Sequence, residues 1–344
     1  MKAGRELGEV LRELQRQQEA KRDYISPSSS LSLCPDGRTL MMGEKDFSTT
    51  DLFHRQVASS LNIPAKYYDM MQREKPDLLA ENVNAWFGDR DQNYMVRSME
   101  GTARALLSDR YRRIDNLEVA SAVLPLFAGV PGMELKSCEV TEHKLYLKVV
   151  DTCREAVCVG DAVQFGVVVS NSEVGLGAVS VQPLVYTLRC LNGMVVNSLG
   201  ERKTHVGRAA KGLETGWEII SDEAAKAEDK AFLLRLRDIA GAAFDEARQK
   251  MIIGKLEESA GAKITGRVQD VVELSGKEYG LNIMEQDGVL KYLIEGGDLS
   301  LYGLSNAVTR YSQDVESYDR ATALEGIGWQ MATMGQRKWK EMNA

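Results

Sequence analysis

The chain of 344 residues is short of the side chains that most often announce a reaction or an export route. Its three histidines, His54, His143 and His205, lie in different segments, and none stands beside a nucleophile-elbow or zincin spacing. Nothing in them predicts a catalytic residue or a metal ligand. The five cysteines, Cys34, Cys138, Cys153, Cys158 and Cys190, are odd in number and scattered. Cys153 and Cys158, the one close pair, match no common zinc or redox spacing. They read as reduced, structural residues. No apolar run approaches the roughly 18 residues of a membrane span. The opening MKAGRELGEVLREL is charged and amphipathic, without an apolar signal core. A cytoplasmic protein of a bacterial host cell, with no membrane partner and no cofactor, is the expectation.

What the chain does have is ordinary globular composition, 44% hydrophobic and 27% charged, enough for one large or two moderate domains. Its net charge of −7 speaks against a general nucleic-acid coat, which carries a basic surplus. The distribution is less uniform. ERKTHVGRAAK, from Glu201 to Lys211, sets Arg202, Lys203, Arg208 and Lys211 against Glu201 alone. LSDRYRRIDN, from Leu107 to Asn116, gathers Arg110, Arg112 and Arg113 around Tyr111.

The stretch from Asp161 to Val196 organises the rest. Val163, Phe165, Val167 and Val169 recur with the period of a strand. Asn171, Ser172, Gly175 and Gly177 supply a turn, and a second apolar run returns from Ala178 to Cys190. Pro183 inside that run suggests an edge position or a bulge. The expectation is a long antiparallel hairpin with both faces apolar.

Around it, residues 5–22 have helical spacing, with Leu7, Val10, Leu11 and Leu14 on one side. Tyr24 to Gly37 reads as a linker, with a short strand or two over Leu31–Gly43. Ser48-Thr49-Thr50-Asp51 opens a helix carrying Leu52, Val57 and Leu61, stopped at Ile63-Pro64, and helix continues to Phe87. Tyr94–Arg97 and Thr102–Leu107 read as strands turned by Glu100-Gly101. Asn116 then caps a helix carrying Val119, Val123 and Phe127. Leu135–Val140 and Leu145–Val150 form a hairpin with Lys144 and Lys148 toward its second face. Ser221 caps a long helix with Phe232, Leu236, Ile239, Ala243 and Ala247 on its core side. Helices broken at Gly280, Gly288 and Gly296-Gly297 complete the chain. Of the four tryptophans, Trp86, Trp217, Trp329 and Trp339 all suit core positions, with Trp217 near enough to the basic loop to stack on a base. The fold class is α+β, a central antiparallel sheet flanked by helical segments. The divisions fall at 1–46, 47–95, 96–215 and 216–344.

Three constellations bear on function, each with a plain structural reading beside the functional one. In SDRYRRIDN the arginines suit phosphate contact and Tyr111 suits stacking on a base. The same residues equally make a strand-to-helix connection, with Asp109 and Asp115 pairing to neighbouring arginines. NSEVGLG, Asn171–Gly177, is a glycine-rich loop, but Ala178 and Val179 stand where a P-loop needs Lys and Ser/Thr, so turn chemistry is favoured. The Glu201–Lys211 loop suits a mobile segment closing on an anionic strand, or a solvated loop without a role. No paired-carboxylate signature of a nuclease stands out.

Long motifs carry a resemblance. ARALLSDRYRRIDN (Ala103–Asn116), SNSEVGLGAVSVQP (Ser170–Pro183), LRCLNGM (Leu188–Met194), HVGR (His205–Arg208) and LSNAVTRY (Leu304–Tyr311) are similar to the phage and plasmid protein family catalogued as domain of unknown function 932. The resemblance spans roughly Thr49 to Tyr311. It implies a mobile-element setting and no assigned activity. By element order alone, the chain also resembles the core of single-strand annealing recombinases, the Rad-type ring proteins and their phage counterparts. That analogy implies a homo-oligomer holding single-stranded DNA by backbone charge. The corresponding cations are Arg110, Arg112, Arg113, Lys144, Lys148 and those of the 202–211 loop, although the acidic total and the lack of a basic tail depart from the pattern. Three functions remain: single-strand binding and annealing without covalent catalysis, an oligomeric interaction protein of a mobile element, and a metal-dependent hydrolase acting on nucleic acid.

Overall fold

The computed structural model describes residues 1–197 apart from Arg112, Ala178 and Arg189, the backbone of 201–203, single positions between 227 and 238, and residues 244–343. The fold is α+β, with two six-stranded sheets among the described residues.

Helix α1 (Leu7–Ala20) buries Val10 and Leu14, as its apolar spacing predicts. The first sheet follows: β1 (Lys21–Pro27), β2 (Leu31–Leu33), β3 (Thr39–Met42), β4 (Lys45–Thr49), β5 (Asn93–Met99) and β6 (Thr102–Ser108). Their spatial order is β1-β5-β6-β4-β3-β2, antiparallel except for the β4–β6 pair. Glu100 and Gly101 turn β5 into β6, both with positive φ (51° and 77°), as a tight hairpin needs. Helices α2 (Asp51–Leu61), α3 (Ala65–Glu74) and α4 (Pro76–Gly88) sit over this sheet. Phe53, Val57, Tyr68, Leu79, Leu40 and Val96 share their core. The Thr50 hydroxyl accepts from Phe53 N at 3.2 Å, the expected N-cap.

The expected linker after residue 23 is instead structure. Tyr24 to Pro27 is the end of an edge strand, registered Tyr24↔Val96 to Pro27↔Asn93, and Ser28–Ser30 is a 3₁₀ turn. Prolines and serines tolerate an edge because one side of the strand needs no donors. The divisions drawn at 46/47 and 95/96 both run through this sheet.

The second sheet holds β7 (Met133–Val140), β8 (Leu145–Cys158), β9 (Asp161–Asn171), β10 (Val179–Thr187) and β11 (Asn192–Val195) in the order β11-β10-β9-β8-β7. A short β12 (Glu201–Lys203) also pairs with β10. The β9–β10 hairpin is the expected one. Pro183 is neither at an edge nor in a bulge: it faces Val167 in regular register. Its carbonyl accepts from Val196 N at 2.8 Å, and β10 changes partner there, from β12 at Val179–Val181 to β11 at Leu184–Thr187. The missing N–H falls in that gap.

Both faces are covered. On one, α1 and α5 (Asn116–Ala128) pack Val10, Leu14, Val119 and Val123 against Leu147, Val149 and Val167, with Phe232 beside them. On the other lie α6 (Glu246–Gly261), α9 (Leu301–Tyr311) and α10 (Tyr318–Ala332). Ile252, Leu256, Tyr302 and Trp329 meet Phe165 and Val185 there. Helices α7 (Val268–Tyr279), α8 (Ile283–Gly296) and α11 (Gln336–Met342) complete a third cluster with α9 and α10.

Several local expectations are corrected. Asp115, not Asn116, precedes the first turn of α5, its N–H donating to Glu118 Oε2 at 3.2 Å. Ala247 belongs to α6, which Asp245 starts by accepting from Ala247 N and Arg248 N. Ser221, Leu236, Ile239, Ala243 and Trp217 lie outside the described residues. Gly280 and Gly297 do end helices in the left-handed conformation, but Gly288 lies inside α8. A Cβ there would come within 2.1 Å of the Tyr311 ring, so packing explains that glycine. Trp329 and Trp339 are core residues, whereas Trp86 is 48% exposed. No helix among the described residues is long and apolar enough to cross a membrane.

Candidate nucleic-acid interface

The segment SDRYRRIDN leaves β6 and enters α5, and the fold lays it against the 171–177 loop, more than fifty residues on. Tyr111 Oη donates to the Ser172 carbonyl at 3.1 Å. Asn171 Nδ2 donates to the carbonyl of Ile114 and to Asn116 Oδ1, both at 2.9 Å. Asn116 N donates to Glu173 Oε1 at 2.6 Å. The turn expected from NSEVGLG is therefore a buried plug: Asn171, Ser172, Glu173 and Val174 are all buried. Gln56 Nε2, from α2, donates to the Val174 carbonyl at 2.7 Å and ties it to the first sheet.

Under this junction lies a charge network that sequence reasoning missed. Arg97, fully buried in β5, donates from Nε and Nη2 to the two carboxylate oxygens of Asp23, each at 2.8 Å. Its Nη1 stands 3.3 Å from Asp115 and donates to the Glu173 carbonyl at 3.1 Å. Lys21 Nζ reaches Asp115 at 2.7 Å and Glu173 at 3.3 Å. Burial works against the Arg97 charge, but the Asp23 hydrogen bonds, with Asp115 and Glu173 nearby, outweigh it and raise its pKa. Burial also pushes Asp23 up, and Arg97, Arg113 and Lys21 more than reverse that, holding it below the ordinary aspartate value. No sequence signal marked these residues, because Lys21 and Asp23 border the stretch read as a linker.

The expected site residues separate into groups. Arg110 is exposed and makes no ion pair among the described residues. Together with Arg90 it lines a groove of 620 Å³ bordered also by Gln92, Asn93, Asp91 and Asp109. Arg113 is half exposed, 3.4 Å from Asp23, closing the network from outside. Lys144 is half-buried, its Nζ lying along Gly177, where a Cβ would stand 3.6 Å away. Tyr111 is half-buried: its ring packs beside Leu52, Met95, Leu107 and Val174, and burial pushes its hydroxyl pKa up, so less of the ring is open to a base than the sequence suggested.

Lys148 is a correction. Its expected face of the hairpin is covered by α10, and its Nζ donates to Glu325 Oε2 at 2.7 Å, both side chains having no exposure. It sits 4.7 Å over the Tyr318 ring. No phosphate reaches it without unpacking the sheet. The plain structural reading expected Asp115 to pair with neighbouring arginines; among the described residues it pairs with Lys21 and Arg97 of the first sheet. Among the described residues, Asp109 accepts from the neighbouring Ser108 hydroxyl at 3.3 Å and from no arginine. Arg112, Arg208 and Lys211 lie outside the described residues, and of Arg202 and Lys203 only the backbone is described, in β12.

Of the cysteines, Cys138 and Cys158 are buried and their thiols are pushed up to about 11 by burial. Cys153 and Cys190 are exposed. Among the described residues, no three His, Cys, Asp or Glu side chains gather as a metal-ligand set. The molecule is thus an α+β protein whose two sheets are joined by a polar, ion-paired seam, with uncommitted arginines at its margin. No family model, curated protein or solved structure matches the chain.

Proposed function

We propose that this protein holds single-stranded DNA by its phosphate backbone and promotes annealing as a homo-oligomer, without a covalent step, in the service of a phage or plasmid. The observation that carries the reading is the pair Arg90 and Arg110 on one open groove, neither bound to a carboxylate among the described residues. Gln92 and Asn93 add amide donors on the same walls. Arg113 and Lys144, each at least half accessible or bordering a loop, extend the cationic margin. Asp91 and Asp109 face the same groove, so its charge is balanced and few phosphates are held per protomer. With two or three neutralised phosphates, the logarithm of affinity falls against the logarithm of salt with a slope of about −2.

The test is fluorescence anisotropy of a labelled single-stranded oligonucleotide across a salt series, with particle mass followed in parallel. Arg90→Ser with Arg110→Ser is expected to abolish binding and leave the fold intact. Absence of binding at low salt, or binding indifferent to salt, overturns the reading. One observation favours an interaction protein instead. Ile283 and Met284, at the start of α8, are each 77% exposed, and Ile294, eleven residues along the same face, is 63% exposed. An oligomer whose mass is the same with and without DNA, and which binds none, supports that second function.

A further inference from the structure

Among the described residues, buried cations come with carboxylates, with one exception. Lys21, Arg97 and Lys148 each have a carboxylate oxygen within 2.8 Å. Arg104, on β6 and only 8% exposed, has none. Its Nη2 donates to the Glu142 carbonyl at 2.7 Å, and its Nη1 donates to the weak acceptor Met99 Sδ at 3.9 Å. A desolvated guanidinium with a single good acceptor is a costly arrangement unless something else supplies charge.

Arg104 lines a cleft of 420 Å³ between α1, the β5–β6 hairpin and the β7–β8 turn. His143 lines the same cleft, and its Nδ1 is buried without a hydrogen-bond partner among the described residues. Arg104 already touches the carbonyl of the residue before it, so the two side chains belong to one corner. Of the three carboxylates on the lining, Glu13 and Glu100 are both engaged by Arg16, while Glu142 forms no ion pair among the described residues. A guanidinium with one strong acceptor and a ring nitrogen with no partner border a space large enough for a small ligand, and a singly protonated oxyanion can accept from the first and meet the second in either tautomer.

We infer that this cleft seats a phosphate-type oxyanion, held by Arg104 and His143. The inference does not rest on strand binding, since Arg90 and Arg110 line a different groove. The oxyanion's source is either a free phosphate compound or a phosphate of a bound strand.

Inorganic phosphate is the probe, in a thermal-shift and calorimetric titration of the whole chain against chloride of matched ionic strength. The wild type is expected to gain thermal stability with phosphate and not with chloride, because a ligand of the folded state stabilises it in proportion to its saturation. His143→Ala is expected to weaken phosphate binding by roughly tenfold, the scale of one hydrogen bond to a charged group. Arg104→Met is expected to abolish it. In phosphate-free buffer Arg104→Met is also expected to melt no lower than the wild type, since it removes a charge that has no partner. No phosphate-specific shift, an equal shift in both variants, or a markedly lower melting point of Arg104→Met without phosphate overturns the inference. Displacement of phosphate by the oligonucleotide supports the seat with the strand as source; undisturbed phosphate binding supports it with a free phosphate compound. Failure of strand binding alone leaves the phosphate titration unchanged, so the two results are separable.

Discussion

Two regions of the molecule bury charge in contrasting ways. Lys148 and Glu325 form an isolated pair between β8 and α10, with no exposure on either side chain. The Arg97 group sits at the seam between the sheets, draws on β1, β5, α5 and the 171–177 loop, and opens to solvent through Arg113. The first has one partner on each side, and Glu325 Oε1 has no hydrogen-bond partner at all. The second shares three cations, Lys21, Arg97 and Arg113, among three carboxylates and adds backbone hydrogen bonds, although among the described residues Asp115 Oδ1 and Glu173 Oε2 lack hydrogen-bond partners just as Glu325 Oε1 does. A pair with no redundancy fails completely when one member goes. A network with several members degrades in steps.

The largest expected effect follows from the isolated pair. Glu325→Gln leaves an ammonium in a dry interior, and breaking a buried pair in this way costs about 3–5 kcal/mol. Urea unfolding monitored by tryptophan fluorescence measures it. The double variant Lys148→Met with Glu325→Leu is expected to recover most of the loss, because well-packed apolar residues often replace a buried pair without penalty. A single variant that loses under about 1 kcal/mol would show that water reaches the pair and would erase the contrast with the seam.

Next in size is a group that the first sheet buries uncharged. His54 lies between the Thr49 hydroxyl and Tyr68 Oη, both at 2.8 Å from its ring nitrogens. Burial lowers its pKa from 6.5 to about 4, with Asp51 acting weakly the other way. The unfolded chain therefore takes up the proton first on acidification. Its contribution is complete above pH 6.5 and is lost as the pH falls toward 4, by on the order of 3 kcal/mol. His54→Gln is expected to flatten the stability profile across that window. A wild-type profile already flat there would remove His54 from the account.

The seam ranks third. Arg97→Met deprives Asp23 of its bidentate partner, yet Lys21 and Arg113 remain, so the expected loss is about 1.5–3 kcal/mol, smaller than for Glu325→Gln. Since Asp23 is held below its ordinary value, its contribution persists above pH 3.8 and disappears as the pH drops through the lower folded value. In Arg97→Met that acid-side loss is expected to shrink. An equal or larger loss than for Glu325→Gln would mean that the network acts as one unit.

The parts of this picture that the sequence displayed are those governed by local periodicity. The period-two run at Val163–Val169 and the Thr50 cap follow from near neighbours alone, and so does the Glu100-Gly101 turn. Pro183 and Gly288 were misleading because their explanation is non-local: a change of partner strand in one case, the Tyr311 ring in the other. The site was less legible than the fold. Lys148 stands between Leu147 and Val149 and Arg110 between Asp109 and Tyr111, and neither setting tells how far the cation is buried: α10, some 170 residues away, covers Lys148, while Arg110 stays exposed. Lys21 and Asp23 sat where the stretch read as helix meets one whose prolines and serines imitate a linker.

The smallest effect separates the two roles that SDRYRRIDN can play. Arg113 is 56% exposed and 3.4 Å from Asp23, a geometry in which surface ion pairs contribute 0–1 kcal/mol. Arg113→Ala is therefore expected to change unfolding by under about 1 kcal/mol, while Arg97→Met, bound to the same aspartate, changes it more. If Arg113 also meets a strand phosphate, the salt slope of oligonucleotide binding falls by about 0.7, the share of one neutralised phosphate on a single strand. A lowered slope with unchanged stability makes Arg113 a contact to the strand. An unchanged slope with a stability loss like that of Arg97→Met makes it an inward member of the seam, and the cationic margin then contracts to Arg90, Arg110 and Lys144.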